Sequence, residues 1–354
     1  MATLKTLVAT LEGAGEAYHI LPLDSGFQAL ITRYGSRILG LFPPGEDPEN
    51  LYWTPTAMNS AAAFASELQA VRAWNIGGER FWIAPEIQYI FTDRAQGTAS
   101  QRVPEAMDPG FYTMREDEHG VSFSQEIQLR AYNIAEGEAY LRCHHTIRPA
   151  ANPLRLLSAG AAMLDGVAYA GVTHTFTLAQ MEHTQHVAES WNLIQLPPGG
   201  QMIIPASDLL ETAEYFGSAT EESRTVRDGA VRQTITGMRQ YKVGYKAASV
   251  GNRLAYLRPL GDGQSSLLVR QFSNNPSAEY TEEPPDEVGV NGYSIHVYND
   301  GGQYGIFGEL ETSGQAIGGA TGRTHTEDQY VLWAFVGPDA KLRAIGKHLL
   351  GVAI

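Results

Sequence analysis

Two glutamates near the C-terminal end of the sequence are spaced for joint chemistry. Residues 303–313 read Gln-Tyr-Gly-Ile-Phe-Gly-Glu-Leu-Glu-Thr-Ser, and their apolar and aromatic residues favour a β-strand. Because residues two apart in a strand share a face, Glu309 and Glu311 should point the same way, roughly 7 Å apart. Two carboxylates on one face are costly unless that face is solvated, paired or catalytic. The pair predicts the floor of a polar-ligand site or, alternatively, an exposed sheet face.

Strand patterns dominate the rest of the chain and predict an all-β protein. Turns rich in Gly, Pro, Asn and Asp separate the strand runs, and Asn299-Asp300-Gly301-Gly302 predicts a hairpin turn. No repeat, low-complexity tract or break in composition marks a linker, so residues 1–354 are predicted to form one β domain. Three helices are predicted: one over 60–72, which is Ala-rich, a short one over 208–216, which Ser207 could cap, and one over 339–350, where apolar residues recur at helical spacing.

Composition limits the classes of partner. The chain has 25 basic and 39 acidic residues, a net charge of −14 and no run of Lys or Arg, which argues against nucleic acid and anionic membranes. No apolar stretch is long enough for a membrane span, and the N-terminal segment is too interrupted for a signal peptide. We therefore expect a cytoplasmic protein, although a chain from which a signal had been removed would read the same.

Metal and cofactor motifs are also missing from the sequence. Cys143 is the single cysteine, which excludes an intrachain disulfide and a cysteine-based zinc site. His144 and His145 are adjacent and point to opposite faces of a strand, so they cannot ligate one ion together. No phosphate loop, dinucleotide fingerprint or calcium loop occurs. No cofactor is predicted, and a calcium ion held by scattered oxygen ligands stays open as an alternative.

Four segments, taken in order, resemble one known group of proteins. They are Tyr-Gly-Ser-Arg-Ile within 28–42, Asn-Ile-Gly-Gly-Glu-Arg-Phe-Trp within 74–86, the strand and Pro-Pro-Gly-Gly turn of 191–205, and Gly-Glu-Leu-Glu-Thr at 308–312. Together they resemble the galactose mutarotase-like (aldose 1-epimerase-like) superfamily, in an uncharacterised bacterial branch. The resemblance implies a β-supersandwich of antiparallel sheets with a sugar cleft on one concave sheet.

The same resemblance implies an acid and a base for ring opening of a sugar. Glu311, in Leu-Glu-Thr, matches the glutamate that serves these enzymes as the base. In these enzymes a histidine precedes the Gly-Gly pair. This chain has Ile76 at that position, which argues against simple mutarotase activity. The replacement candidates for the acid are His174, in Thr-His-Thr-Phe, and His183 with its neighbour His186; each could equally be a structural histidine.

Further residues are candidates for binding the ligand. Arg80 and Glu79 follow a Gly-Gly turn that allows close approach to a ligand, and Arg80 could contact a sugar hydroxyl or form an ion pair with Glu79 or Glu86. Glu309 is expected to support Glu311 or to be ion-paired. The rings of Trp82, Trp191 and Tyr280 could stack on a sugar, or could belong to the core.

Two more candidates lie on predicted strands. Arg270 interrupts an apolar strand and needs a partner, for which Glu311 or Glu309 would serve. His296 could reach the rim of the cleft or, more in keeping with its strand, face solvent.

Three functions are consistent with the sequence. The first is acid–base chemistry on a sugar or sugar acid, with Glu311 as base and an isomerase as the enzyme class. The second is a carbohydrate-binding module without catalysis. The third is a lyase that performs β-elimination on an acidic sugar, with Arg80 or Arg270 neutralising the carboxylate. In each case the partner is a small sugar or oligosaccharide, and the chain is a monomer or homodimer.

Overall fold

A computed structural model describes residues 2–69 and 73–354 of the chain. Antiparallel β-strands make up most of this part. Its α-helices are α1 (Leu4–Ala14), α2 (Ala61–Glu67), α3 (Glu86–Tyr89), α4 (Gly160–Leu164) and α5 (Asp339–Leu350). No helix among these residues is long and apolar enough to cross a membrane.

The strands follow one another in chain order as listed here. They are β1 (Tyr18–Pro22), β2 (Gln28–Thr32), β3 (Arg37–Phe42), β4 (Glu79–Ala84), β5 (Thr113–Asp117), β6 (Gly120–Ala131), β7 (Gly137–Pro149), β8 (Ala168–Gln180), β9 (Val187–Leu196), β10 (Gln201–Pro205), β11 (Thr212–Phe216), β12 (Arg224–Arg227), β13 (Ala230–Thr234), β14 (Tyr241–Lys246), β15 (Arg253–Gly261), β16 (Gln264–Phe272), β17 (Tyr293–Asn299), β18 (Gly308–Ser313), β19 (Ile317–Gly318) and β20 (His325–Pro338).

These strands form two large sheets. The first sheet has the order β1-β2-β3-β4-β9-β18-β17-β14-β11, with β19 paired to β9. The second has the order β12-β13-β10-β15-β16-β20-β8-β7-β6-β5. The all-β prediction is therefore confirmed.

Burial along the strands shows which sheet faces are covered. In β6, buried Phe123, Ile127 and Leu129 alternate with exposed polar residues, so one face meets the core and the other meets solvent. Strands β4, β17 and β18 are instead buried at every position. The centre of the first sheet is thus covered on both faces, by the second sheet on one side and by connecting segments on the other.

Helices cover the remaining apolar faces. Leu342, Ile345 and Leu349 of α5 pack on the outer face of the second sheet. Leu7 and Leu11 of α1 join Phe64 of α2 over β2 and β3. Helix α1 begins where the Thr3 hydroxyl accepts a hydrogen bond from the Thr6 amide.

The structure tests the predicted elements individually. The helix predicted over 339–350 is confirmed as α5, whereas that over 60–72 is shorter, and its residues 70–72 lie outside the described residues. The prediction of a helix over 208–216 is wrong. Ala213 and Tyr215 are buried on either side of exposed Glu214, which is the alternation of a strand, and this strand, β11, pairs with β14. The predicted hairpin exists, but its second strand begins only at Gly308.

Candidate functional site

Alternation along the central strands of the first sheet creates a polar pocket. On one face, Phe81 points at the second sheet, and its ring lies 4.5 Å from that of Phe176. On the opposite face, Trp82 lies beside Trp191, and Glu311 lies beside Leu193. The pocket on this face, called the inner pocket, is lined by the charged side chains of Arg80, Glu86, Lys242, Glu309 and Glu311 and by the rings of Trp74, Trp82, Trp191, Phe216, Tyr298, Tyr304 and Phe307.

The inner pocket is narrow. Its cavity volume is about 40 Å³, which is room for on the order of three water molecules. Two glycines stand directly before β4: Gly77 and Gly78 have φ of 91° and 81°, and a Cβ on Gly78 would collide with the main chain at Ile38. They allow the chain to pass close to β3 just before Arg80, which lines the pocket.

Glu311 lies on the pocket floor and is buried. Its Oε2 accepts a hydrogen bond of 3.1 Å from Trp191 Nε1 and lies 3.4 Å from Lys242 Nζ. Burial raises the pKa of Glu311 to about 8, although Lys242 opposes the rise and Glu309 adds to it. A carboxyl group that titrates near neutral pH can both accept and donate a proton, which is what general acid–base catalysis needs.

Lys242 connects Glu311 to a second carboxylate. Its Nζ donates to Glu86 Oε2 at 3.1 Å and lies 4.3 Å from the centroid of the Trp191 ring. The carboxylates around this ammonium raise its pKa despite its burial. Behind it, the Glu86 amide donates to Glu282 Oε2 at 2.6 Å, and burial raises the pKa of Glu282 to about 8.

Arg80 forms the other charged group of the pocket. Its Nη2 donates to Glu309 Oε1 at 3.0 Å, and its guanidinium lies 4.4 Å from the centroid of the Trp82 ring. Asp108 approaches from behind, 3.8 Å from Arg80 Nε, while it accepts hydrogen bonds from Trp82 Nε1 and Arg37 Nη2. The Arg80 side chain is therefore held rigidly in the pocket wall.

The sequence matches the model of one known protein family. A model of the family of unknown function DUF6786 matches residues 57–354. The chain belongs to this family. A comparison with curated protein sequences found no match.

Solved structures share the fold at low sequence identity. A protein from Escherichia coli K12, provisionally named an aldose 1-epimerase, has a TM-score of 0.51 at 11% identity, with 90% of this chain and 99% of that one covered. A galactose mutarotase-like protein from Lactobacillus casei ATCC 334 has a TM-score of 0.49 at 12% identity, covering 90% and 100%. The predicted resemblance is confirmed at the level of the fold, which this chain shares with the Escherichia coli protein.

Several predicted site residues meet in the inner pocket. Glu309 and Glu311 share a face, as their spacing predicts, and Arg80, Trp82 and Trp191 line the same pocket. Glu309 is ion-paired, as expected for a supporting residue, and its partner is Arg80. The alternative ion pairs of Arg80 with Glu79 or Glu86 are not formed. The catalytic and binding roles of these residues stay predictions.

Glu79 and Arg270 lie on the other side of the sheet. Arg270 Nη2 donates to Glu79 Oε1 at 2.6 Å, between the two sheets, so the prediction that Glu309 or Glu311 pairs with Arg270 is wrong. Glu79 directly precedes Arg80 in β4. Successive side chains of a strand point to opposite faces, so Glu79 points between the two sheets while Arg80 points into the pocket. Tyr52 and Asn192 also donate hydrogen bonds to its carboxylate.

Among the described residues, no histidine lines the inner pocket. His174 is buried between the sheets, with Nδ1 3.4 Å from Glu79 Oε1 and Nε2 2.7 Å from His145 Nδ1. Burial lowers the pKa of His174, with Glu79 opposing. His183 is exposed in the turn before β9. Neither therefore has the placement that an acid beside Glu311 requires.

His296 and Tyr280 do not line the pocket either. His296 pairs with Glu311 in the register of β17 and β18, so the two side chains share a face of the sheet, but His296 is fully buried and its Nε2 lies 3.1 Å from the Tyr215 hydroxyl. The expectation that His296 faces solvent is thus wrong. Tyr280 is buried elsewhere and accepts a hydrogen bond from the Asn275 amide.

Several residues that line the pocket are not among the candidates predicted from the sequence. Lys242 carried one usable signal, a lone lysine in the short apolar run 241–245, which needs a buried partner as Arg270 does. Trp74, Gln101 and Tyr304 come from connecting segments, and nothing in their spacing indicates that they meet. Within the described residues, no group of three or more His, Cys, Asp or Glu side chains is arranged to hold a metal ion.

Proposed function

We propose that the inner pocket binds a carbohydrate and that Glu311 transfers a proton in a reaction of the aldose 1-epimerase type. The observation that carries the proposal is the placement of Glu311: a buried carboxyl group on a pocket floor, fixed by Trp191 and Lys242, whose pKa is raised by burial. The tryptophan rings around it offer apolar surfaces for the C–H face of a sugar. The fold supports the assignment because it is that of the mutarotase-like proteins.

The chemistry follows from the positions of the charged groups. Ionised Glu311 takes the proton of the anomeric hydroxyl, the bond between C1 and the ring oxygen breaks as the carbonyl forms, and the ring oxygen takes a proton from the Lys242 ammonium, which recovers it when the ring closes. The ring then closes on the other face of C1, and the proton returns. An ammonium has three N–H donors. Two of those on Lys242 are directed at Glu86 and Glu311 in the described part of the chain, so the third can stabilise the departing ring oxygen.

The charge of the pocket favours a neutral sugar over an acidic one. Glu86, Glu309 and Glu311 face two cations, Arg80 and Lys242, and each cation already has a carboxylate partner. The carboxylate of an acidic sugar would enter beside these glutamates and would be repelled by their negative charge. The lyase alternative therefore has less support than epimerisation of a neutral sugar.

A binding protein without catalysis is the second candidate. It is favoured by one observation: the described residues provide no histidine in the pocket to act as the acid. The two candidates differ in what the substitution Glu311→Gln does. This change retains the shape of the side chain and its acceptor oxygen but removes the base.

The test combines binding with anomer exchange. Glucose, galactose, mannose and their uronic acids are titrated against the protein, and exchange between α and β anomers is followed by NMR for each sugar that binds. The epimerase proposal predicts that Glu311→Gln binds the sugar but exchanges it about 100-fold or more slowly, while Glu327→Gln, a change at an exposed residue of β20, has no effect. Binding without exchange in the unmodified protein would establish the second candidate. Binding of none of these sugars would overturn both.

A further inference from the structure

Among the described residues, four lie between the inner pocket and a wider cavity outside it. Trp74, Thr98, Gln101 and Tyr304 line both spaces. The outer cavity has a volume of about 280 Å³, against about 40 Å³ inside. Since the inner pocket is too small for a sugar ring, this boundary must rearrange before a ring can reach Glu311. The residue contacts at the boundary therefore decide what is admitted.

Gln101 has a fixed orientation at this boundary. Its Nε2 donates to Glu86 Oε1 at 2.6 Å, and the other oxygen of Glu86 accepts from Lys242. A flipped amide would turn its oxygen toward a carboxylate, which is repulsive. Gln101 consequently turns its acceptor, Oε1, to the boundary, and there the Tyr304 hydroxyl donates to it at 3.0 Å.

The Tyr304 side chain can move without unfolding its loop. The main chain of Tyr304 is held at both ends of the residue, because its amide donates to Asp300 Oδ2 at 2.9 Å and its carbonyl accepts from Asn75 Nδ2 at 2.9 Å. The ring is only half-buried and meets the Trp74 ring edge-on, with centroids 5.4 Å apart. Rotation of this side chain would take its ring and hydroxyl out of the boundary between the two cavities.

We propose that the Tyr304 hydroxyl occupies the position of a substrate hydroxyl, and that Gln101 recognises this substrate hydroxyl once Tyr304 has rotated away. The inference rests on the proposed function, since it assigns one hydroxyl of the sugar to Gln101. Because the atom of Gln101 that meets the Tyr304 hydroxyl is an acceptor, the ligand must be a sugar with a free hydroxyl at that position. A deoxy or O-methyl derivative has no proton to donate and leaves Oε1 unsatisfied.

The position of Gln101 also connects recognition with catalysis. From Gln101 the contacts continue through Glu86 and Lys242 to Glu311, with distances of 2.6, 3.1 and 3.4 Å. A substrate hydroxyl on Gln101 keeps the amide in place, and Glu86 keeps Lys242 beside Glu311. Gln101 is therefore a specificity-determining residue that also positions the charged groups of the floor.

The first test is the substitution Tyr304→Phe, which distinguishes a competing hydroxyl from one that binds the sugar. Losing the hydroxyl removes one hydrogen bond from the closed state, so the sugar that binds the unmodified protein should bind about 2- to 10-fold more tightly. Tyr140→Phe, on β7 of the second sheet, is the matched control and should leave the Kd unchanged. A Kd that stays the same or rises in Tyr304→Phe overturns the inference.

The second test uses Gln101→Met, which retains the side-chain length but lacks the acceptor. Its Kd for the sugar should rise about 10-fold. In a series of mono-deoxy derivatives of the same sugar, one derivative should lose affinity for the unmodified protein and show no further loss with Gln101→Met. If every deoxy derivative loses affinity additively with Gln101→Met, Gln101 does not contact a sugar hydroxyl. Failure of all sugars to bind would overturn the proposed function itself, whereas these outcomes overturn only the role of Gln101.

Discussion

The ammonium of Lys242 lies 3.4 Å from the carboxylate of Glu311, across the intervening strand β17. Both side chains are buried, and the pair is not isolated, because Glu86 approaches the same ammonium from the other side. Burial favours the neutral form of Glu311, while Lys242 favours the charged form. The balance leaves a carboxyl group that titrates close to neutral pH, where a catalytic acid or base is most effective.

Removing the charge of Lys242 should therefore shift the titration of Glu311. In Lys242→Met we expect the pKa of Glu311 to rise beyond its present value of about 8, because the cation that lowers it is gone. The midpoint of the pH–rate profile for anomer exchange should move to higher pH by about one unit or more. Lys246→Met, at the end of the same strand, is the control, since Lys246 pairs with exposed Glu211. A midpoint that is unchanged or lower would show that Lys242 does not control Glu311.

Trp191 should contribute to catalysis through its indole N–H. Trp191→Phe keeps an aromatic ring in the pocket but removes the hydrogen bond to Glu311 Oε2. Hydrogen bonds to charged groups are worth about 1.5–3 kcal/mol, so the exchange rate near neutral pH should fall at least about 10-fold. The midpoint of the pH–rate profile should also shift to higher pH. Trp82→Phe is the matched control for the midpoint, because the indole N–H of Trp82 donates to Asp108 instead. Equal midpoint shifts in the two variants would contradict the assignment.

The buried Glu79 should matter for stability. Burial alone raises the pKa of Glu79, but Arg270 and His174 outweigh it and hold this pKa well below its usual range. Glu79 therefore stabilises the fold above the pKa of about 4.5 that it has when unfolded, and this contribution is lost as the pH falls below that value. Glu79→Gln leaves the Arg270 charge uncompensated, which typically costs about 3–5 kcal/mol.

Chemical denaturation at several pH values checks this prediction. The free energy of unfolding of the unmodified protein should decrease as the pH falls below about 4.5, and Glu79→Gln should show a weaker decrease from a lower starting value. Glu327→Gln, at an exposed position, serves as the control. If Glu79→Gln is as stable as the unmodified protein at neutral pH, the Glu79–Arg270 pair does not hold the two sheets together as inferred.

The fold and one strand of the site were predictable from the sequence. Strand alternation alone places Glu309 and Glu311 on a common face, because that relationship is local. The face that each neighbouring strand presents is not local. Glu79 and Arg80 follow the same Gly-Gly turn, yet one points between the sheets and the other into the pocket, and the sequence alone does not decide which.

Charge partners were the least predictable feature. Arg270 needs a buried carboxylate, but the choice of Glu79 over Glu311 depends on how the two sheets stack. Residues from connecting segments, such as Gln101 and Tyr304, reach the pocket through long-range packing that no periodicity records. In contrast, helix α5 was predictable to the residue, because its apolar face and its end before Gly351 are both local signals.

The pH dependence of kcat/KM for anomer exchange, which reports pKa values of the free protein, tests the role of Glu311 most directly. A base must be ionised, so the rate should rise with pH and level off, with a midpoint near the pKa of about 8 that Glu311 has in the folded protein. Glu311→Gln should abolish this rise and leave only the slow exchange of the sugar in buffer. A midpoint near 4.5, the ordinary value for a glutamate, or a profile that Glu311→Gln leaves unchanged, would contradict the assignment of Glu311 as the proton-transferring residue.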